Sequence, residues 1–86
     1  MDRFVSLARK LGWKVFHDFD SRRNEPGFPD LVLVRDRVIF AELKTERGRV
    51  SKEQIAWIHA IKSAGTYAAI WRPSDWVNIQ KILTYK

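Results

Sequence analysis

Two apolar runs, Leu31–Val34 and Val38–Leu43, are separated by only three charged residues, Arg35-Asp36-Arg37. A gap this short has the length of a hairpin turn, which makes the two runs antiparallel neighbours. With a three-residue loop, Val34 faces Val38, Val32 faces Phe40, and Asp30 faces Glu42. Directly opposed residues share one face of a sheet, with Cβ atoms roughly 4.5–5.5 Å apart. Lys44, two positions beyond Glu42, points to that same face about 6.5–7 Å further along the strand. The expected result is two carboxylates and an ammonium at one end of an otherwise apolar hairpin. Both strands are apolar on both faces, which predicts helices on both sides of the sheet.

Around this hairpin, Phe4, Leu7, Ala8 and Leu11 fall at helical spacing, and Gly12 stands where a helix would be capped. Residues 13–17 read as a short strand and the polar residues 18–29 as a long loop, a feature more often functional than idle. Ser51-Lys52-Glu53-Gln54 has the form of a capping box. It opens a helix with Trp57, Ile58, Ile61 and Ala64 on one stripe, ending at Gly65. Residues 67–71 form another strand, and Pro73-Ser74-Asp75 starts a last helix with Trp76, Ile79 and Leu83 inward. The order α-β-β-β-α-β-α over residues 1–86 predicts one α/β domain, a small mixed β-sheet flanked by helices.

A chain of 86 residues has no room for a second core. At this size folding buries only about 60% of the surface of the unfolded chain. Four tryptophans and 45% hydrophobic residues are a large apolar content for so small a domain. Trp57, Trp71 and Trp76 are therefore expected at buried positions, in the core or in a subunit interface. Cysteine is absent, which removes disulfides and thiolate metal sites. The 16 Lys and Arg against 10 Asp and Glu give a net charge of +6, suited to a polyanion such as nucleic acid. No apolar run is long enough to span a bilayer, and Met1-Asp2-Arg3-Phe4 does not open a signal peptide. The expectation is a soluble intracellular protein with no membrane partner.

Opposed carboxylates repel, and a stable fold rarely keeps them without compensation. A hard divalent cation compensates them: magnesium takes one or two carboxylates together with waters and substrate phosphate. Lys44 would orient or deprotonate an attacking water, or stabilise charge on a phosphate. The competing reading is a surface salt bridge between Glu42 and Lys44, with Asp30 capping a turn beside Pro29. Arg22, Arg23, Arg35, Arg37, Arg47, Arg49 and Lys52 occupy the loops around this centre and are expected to contact phosphates. Asp36 and Glu46 read as local charge partners among them. His17 and Asp20 stand near the start of the long loop and could approach the site. His59 on the middle helix reads as structural.

Gly27-Phe28-Pro29-Asp30-Leu31 followed by Glu42-Leu43-Lys44 resembles the PD-(D/E)xK nuclease superfamily, and more narrowly the stand-alone VRR-NUC domains of phages and bacteria. The stretch from Ser51 through Gln54 to Trp57, and the tail Trp71-Arg72-Pro73-Ser74-Asp75-Trp76, are similar to that family as well. The resemblance covers nearly the whole chain. It implies a restriction-endonuclease-like core and Mg2+- or Mn2+-dependent cleavage of DNA. For stand-alone members it further implies a homodimer cutting branched DNA such as Holliday junctions, in the cytoplasm of a bacterial or phage-infected cell. Carried over by position, Asp30 and Glu42 are metal ligands, the backbone carbonyl of Leu43 completes the site, and Lys44 is the catalytic lysine. Gln54 matches a helix glutamine that helps position the site, although the capping box explains it equally well.

One departure stands out. Related domains carry a metal-binding glutamate early in the first helix, and this sequence has no glutamate before Glu25. The family helix starts further upstream than this sequence does, and Asp2 at the terminus is a poor substitute. Either the recorded start is late, or the protein works without that ligand, or its activity is impaired. The last case supports an alternative: a module of the same fold that binds branched DNA or docks a helicase partner with little cleavage. In a third reading, the carboxylates form ion pairs and the basic face binds an acidic protein.

Overall fold

The computed structural model describes residues 2–18 and 25–86. Helix α1 (Asp2–Lys10) leads into strands β1 (Lys14–His17), β2 (Leu31–Val34) and β3 (Val38–Leu43). Helix α2 (Lys52–Ser63), strand β4 (Tyr67–Trp71), a 3-10 turn (Pro73–Asp75) and helix α3 (Trp76–Thr84) follow. The order is the one expected from hydrophobic periodicity. The strands form one sheet in the order β1-β2-β3-β4, antiparallel except for the parallel β3–β4 pair. A parallel pair needs a long crossover, which α2 supplies. This mixed sheet with flanking helices is a restriction-endonuclease-like α/β fold.

The core lies on one side of the sheet. Leu31, Leu33, Ile39 and Ala41 are all fully buried there. Against them pack Phe4, Val5 and Ala8 of α1, Ile79 and Leu83 of α3, and Trp13 and Trp71. Trp13 Nε1 donates to the Leu83 carbonyl at 3.0 Å, which satisfies the indole N–H in the interior.

The opposite face is covered less completely than the apolar strands suggested. Among the described residues α2 is the only helix there, packed along β4, and none of its residues is fully buried. Phe16, Val34 and Val38 stay exposed, at 59%, 43% and 37%. Of the three tryptophans expected inside, only Trp71 is buried. Trp57 is half-buried edge-on to Phe28, and Trp76 is half-buried between Phe4 and the guanidinium of Arg3, which sits 3.8 Å from its ring centre. One twelve-residue helix cannot cover the same area as two, and the sheet ends nearest β1 pass beyond its reach. Among the described residues no helix is long and apolar enough to cross a membrane.

The turn arginines also differ from expectation. Arg35 and Arg37 sit at the closed end of the β2–β3 hairpin, remote from Asp30 and Glu42, and bind the C-terminal end of α3. Arg35 Nη1 donates to the carbonyls of Leu83 at 2.9 Å and Leu11 at 3.1 Å, and its Nη2 to Tyr85. Arg37 donates to the Ile82 carbonyl and to that of Tyr85 at 2.9 Å. Both guanidiniums lie over the Trp13 ring, at 4.3 and 5.0 Å from its centre. Cations are favourable where a helix leaves its last carbonyls unpaired. Asp36 bridges the two, at 2.6 Å from Arg35 and 2.7 Å from Arg37, and these contacts lower its pKa to about 2, with Arg35 the main cause. Arg35→Ala is therefore expected to lower stability by about 2–3 kcal/mol in urea unfolding, the scale of lost hydrogen bonds from a charged donor.

Candidate active site

The hairpin register is the one that the three-residue loop dictates: Val34 pairs with Val38, Val32 with Phe40, and Leu31 with Ala41. One step further, at the open end, Asp30 stands opposite Glu42. Asp30 is stitched to both neighbouring strands. Its main-chain carbonyl accepts from the Asp18 N–H at 2.9 Å, and its Oδ2 accepts from the Leu43 N–H at 3.1 Å. The carboxylate thus occupies the place of the next ladder acceptor, where Asp30 has left regular pairing. In an extended strand the N–H and C=O of one residue point to the same neighbour. The Leu43 carbonyl consequently leaves β3 on the Asp30 side.

Glu42 is 4% exposed, the one charged side chain that is buried among the described residues. Its Oε2 accepts from Gln54 Nε2 at 2.8 Å and lies 3.9 Å from Lys44 Nζ. Its Oε1 is buried with no hydrogen-bond partner. Burial, joined by the charge of Asp30, pushes the Glu42 carboxyl up to about 7, while the Lys44 ammonium pulls the other way. An unpaired buried carboxylate oxygen is costly, and native folds seldom tolerate one without a function or a bound ion.

The Gln54 amide makes the contacts that both of its readings call for. Oε1 accepts from the Ser51 N–H at 2.8 Å, closing the capping box with Ser51 Oγ, which accepts from the Gln54 N–H at 3.1 Å. The other end of the same amide donates to Glu42. The start of α2 is thereby locked to the acidic pair. Gly27 permits this approach: its φ is +88°, and a Cβ there would come within 2.4 Å of the Glu53 carbonyl carbon.

These donors suit a hard divalent cation. Among the described residues no cluster of three or more His, Cys, Asp and Glu exists. The set is two facing carboxylates plus the Leu43 carbonyl, too few for a closed zinc or calcium cage. It fits magnesium, which keeps several waters and needs only one or two carboxylates. The orphaned Glu42 Oε1 is the atom that such an ion would satisfy.

The loop after Lys44 is held by a residue whose part the sequence did not disclose. Arg72 Nη1 donates to the carbonyls of Thr45 at 2.6 Å and Glu46 at 3.1 Å. Its own N–H donates to Asp75 Oδ2 at 2.9 Å, and the Ser74 N–H donates to the Glu46 carboxylate. Glu46 therefore caps a turn, and its carboxylate makes no ion pair with an arginine among the described residues. The Trp71–Trp76 stretch was a recognisable motif, but only the fold shows that it clamps the lysine loop. Arg47 and Arg49, on the segment joining Lys44 to α2, and Lys52, the first residue of α2, are exposed and make no ion pair among the described residues. Arg22, Arg23 and Asp20 lie outside the described residues. His17 pairs with Leu31 and so shares the face opposite Asp30, and His59 is exposed on α2.

Two acids from adjacent strands and a lysine two residues after the second, on a mixed sheet, define a nuclease domain of the PD-(D/E)xK class. The family model of the VRR-NUC domain matches residues 3–74, and the chain belongs to that family. The match takes in Asp30, Glu42, Lys44 and Gln54 and ends inside the 3-10 turn, before α3. None of the curated proteins compared with the chain matches it.

Proposed function

We propose that the protein is a divalent-metal-dependent DNA endonuclease that acts on branched DNA, such as four-way junctions, as a homodimer. The observation that carries the reading is the buried Glu42 carboxylate, facing Asp30 and holding one oxygen without a partner. Asp30, Glu42 and the Leu43 carbonyl would hold Mg2+ or Mn2+. When bound, such an ion polarises a phosphoryl oxygen and lowers the pKa of a water. Gln54 keeps Glu42 turned toward Asp30. Lys44, half-buried beside Glu42, stabilises the charge that builds on the phosphate and orients the attacking water. Arg47, Arg49 and Lys52, together with Arg22 and Arg23, contact backbone phosphates and fix the register of the DNA. A two-fold dimer presents two such sites, matching a two-fold junction. Its place is the cytoplasm of a bacterial or phage-infected cell.

A second reading, a branched-DNA-binding or helicase-docking module with little cleavage, is favoured by one feature. Helix α1 carries no glutamate, so the described site has only two carboxylates. Labelled four-way junction, duplex and single strand, each incubated with Mg2+, Mn2+ or chelator, separate the two. Junction cleavage that requires metal and falls by about 10²–10³-fold or more in Asp30→Ala and Lys44→Ala supports the enzyme, on the scale of losing one transition-state donor. Junction binding that persists in all three proteins without cutting supports the module.

A further inference from the structure

The face that bears Asp30 and Glu42 is open toward β1, and what it leaves open is aromatic. Phe16, Val32 and Phe40 form one cross-strand row. Phe40 and Glu42 are two apart on β3, so this row and the acidic row are same-face neighbours about 6.5–7 Å apart. Phe28 packs edge-on to Phe40, with ring centres 6.0 Å apart, and to Trp57 at 5.1 Å. Phe16, Phe28 and Trp57, with Glu25, line a cleft of ≈ 340 Å³, within the ~300–1,000 Å³ typical of small-ligand sites. The cleft joins the acidic centre along two chain paths. Phe28 precedes Asp30 by two residues, and Trp57 lies one helical turn beyond Gln54, which holds Glu42.

Phe16, on the edge strand β1, is 59% exposed, and the Trp57 and Phe28 rings are half open. Accessible aromatic rings beside a positively charged segment are the components of a base-stacking platform. Exposed Lys52 in the first turn of α2 and exposed Arg49 in the segment leading into it supply that charge. Glu25 in the cleft wall repels phosphate, so the cleft suits a base and not the backbone. A base inside a duplex has both faces covered by its neighbours, so only an unpaired or flipped nucleotide can stack there.

We propose that the cleft of Phe16, Phe28 and Trp57 takes one unpaired nucleobase of the DNA strand whose phosphodiester is presented to Asp30 and Glu42. This rests on the DNA-cleavage reading. It assigns the proposed preference for branched DNA to nucleotides that unpair where the strands exchange, next to the cut.

The test measures binding of the intact protein in chelator to three probes carrying 2-aminopurine: a blunt duplex, the same duplex with the analogue bulged out, and a single strand. The bulged and single-stranded probes should bind at least about 10-fold tighter than the blunt duplex, with a fluorescence change on binding, as expected for stacking on aromatic rings. Phe16→Ala and Trp57→Ala should each weaken binding of the unpaired probes by about 5- to 100-fold and leave the blunt duplex unaffected, whereas Trp57→Phe retains the preference. Phe16 is exposed, so its variant folds even if that of Trp57 does not. Equal loss on all probes, or no preference in the parent protein, overturns the proposal. So does a Phe16→Ala variant that changes sedimentation while binding DNA normally, because the face then joins copies of the chain. Cutting by the same preparation in Mg2+ is scored separately. Stacking without cutting would refute the nuclease and leave the cleft assignment standing. Cutting blunt duplex as readily as the bulged probe would refute the cleft assignment and leave the nuclease.

Discussion

Glu42→Gln should make the metal-free protein more stable at pH 8 while removing metal-dependent cleavage. The carboxyl is buried and faces Asp30, and its pKa is raised to about 7 from an ordinary 4.5. The folded state therefore holds a proton that the unfolded chain releases between those two values. With respect to this group, stability is highest below about pH 4.5, falls as the pH rises through the window, and carries the whole penalty above pH 7. At 1.36 kcal/mol per pH unit that penalty is about 3 kcal/mol at most. Glutamine keeps the shape: its oxygen accepts from Gln54, and its neutral amide replaces the carboxylate oxygen that has no partner. We expect a gain of about 1–2 kcal/mol at pH 8, with Tm rising roughly 4–8 °C for each kcal/mol in a domain of this size. The gain should vanish near pH 4.5. Magnesium should raise the Tm of the parent protein and not of Glu42→Gln, because only the carboxylate gains by meeting a cation. Thermal melts at both pH values, with and without Mg2+, read all of this. A variant less stable than the parent at pH 8 would show that Glu42 is a structural ion pair with Lys44 and not a strained ligand.

The acidic pair was legible because period-two alternation and a three-residue turn leave one register, and all four β2–β3 partner pairs agree with it. Gln54 was legible in type but not in role. A capping box predicts where its Oε1 goes and is silent about its Nε2, which is free to reach whatever the fold brings near. Arg35 and Arg37 were misread for a different reason. Their position in a charged turn suggests solvent or phosphate, yet their acceptors are carbonyls up to 50 residues away at the end of α3. Pairing over such a separation leaves no local signal. Of the stripe Trp57, Ile58, Ile61 and Ala64, the first three mark the inner side of α2 and Ala64 is exposed at its C-cap, but periodicity carries no measure of area. It could not show that one helix leaves Phe16, Val34 and Val38 uncovered.

Two glycines with nearly the same backbone angle isolate the contact on which the site's geometry rests. Gly27 has φ +88° and Gly65 has φ +91°. Alanine at either position meets the steric cost of a left-handed residue, about 1–2 kcal/mol. At Gly65 nothing lies within 4 Å of the added Cβ, so that cost is the whole expected effect, and cleavage should be unchanged. At Gly27 the same Cβ falls 2.4–2.6 Å from the Glu53 carbonyl carbon, oxygen and Cβ. Two of these three atoms are backbone in the first turn of α2, which cannot swing aside as a flexible side chain would. The first turn must move, carrying Gln54 away from Glu42, or the loop before Asp30 must move, carrying Asp30 away from the Leu43 N–H. Either displacement opens the acidic pair. Gly27→Ala is therefore expected to lose more than twice the stability lost by Gly65→Ala in urea unfolding. It should also reduce Mg2+-dependent cleavage by about 10²-fold, the scale set by a misplacement of roughly 1 Å at a reacting centre. If the two variants lose equal stability and both cut DNA normally, then α2 does not hold the acids in place, and the hydrogen bond from Gln54 to Glu42 is incidental to the site.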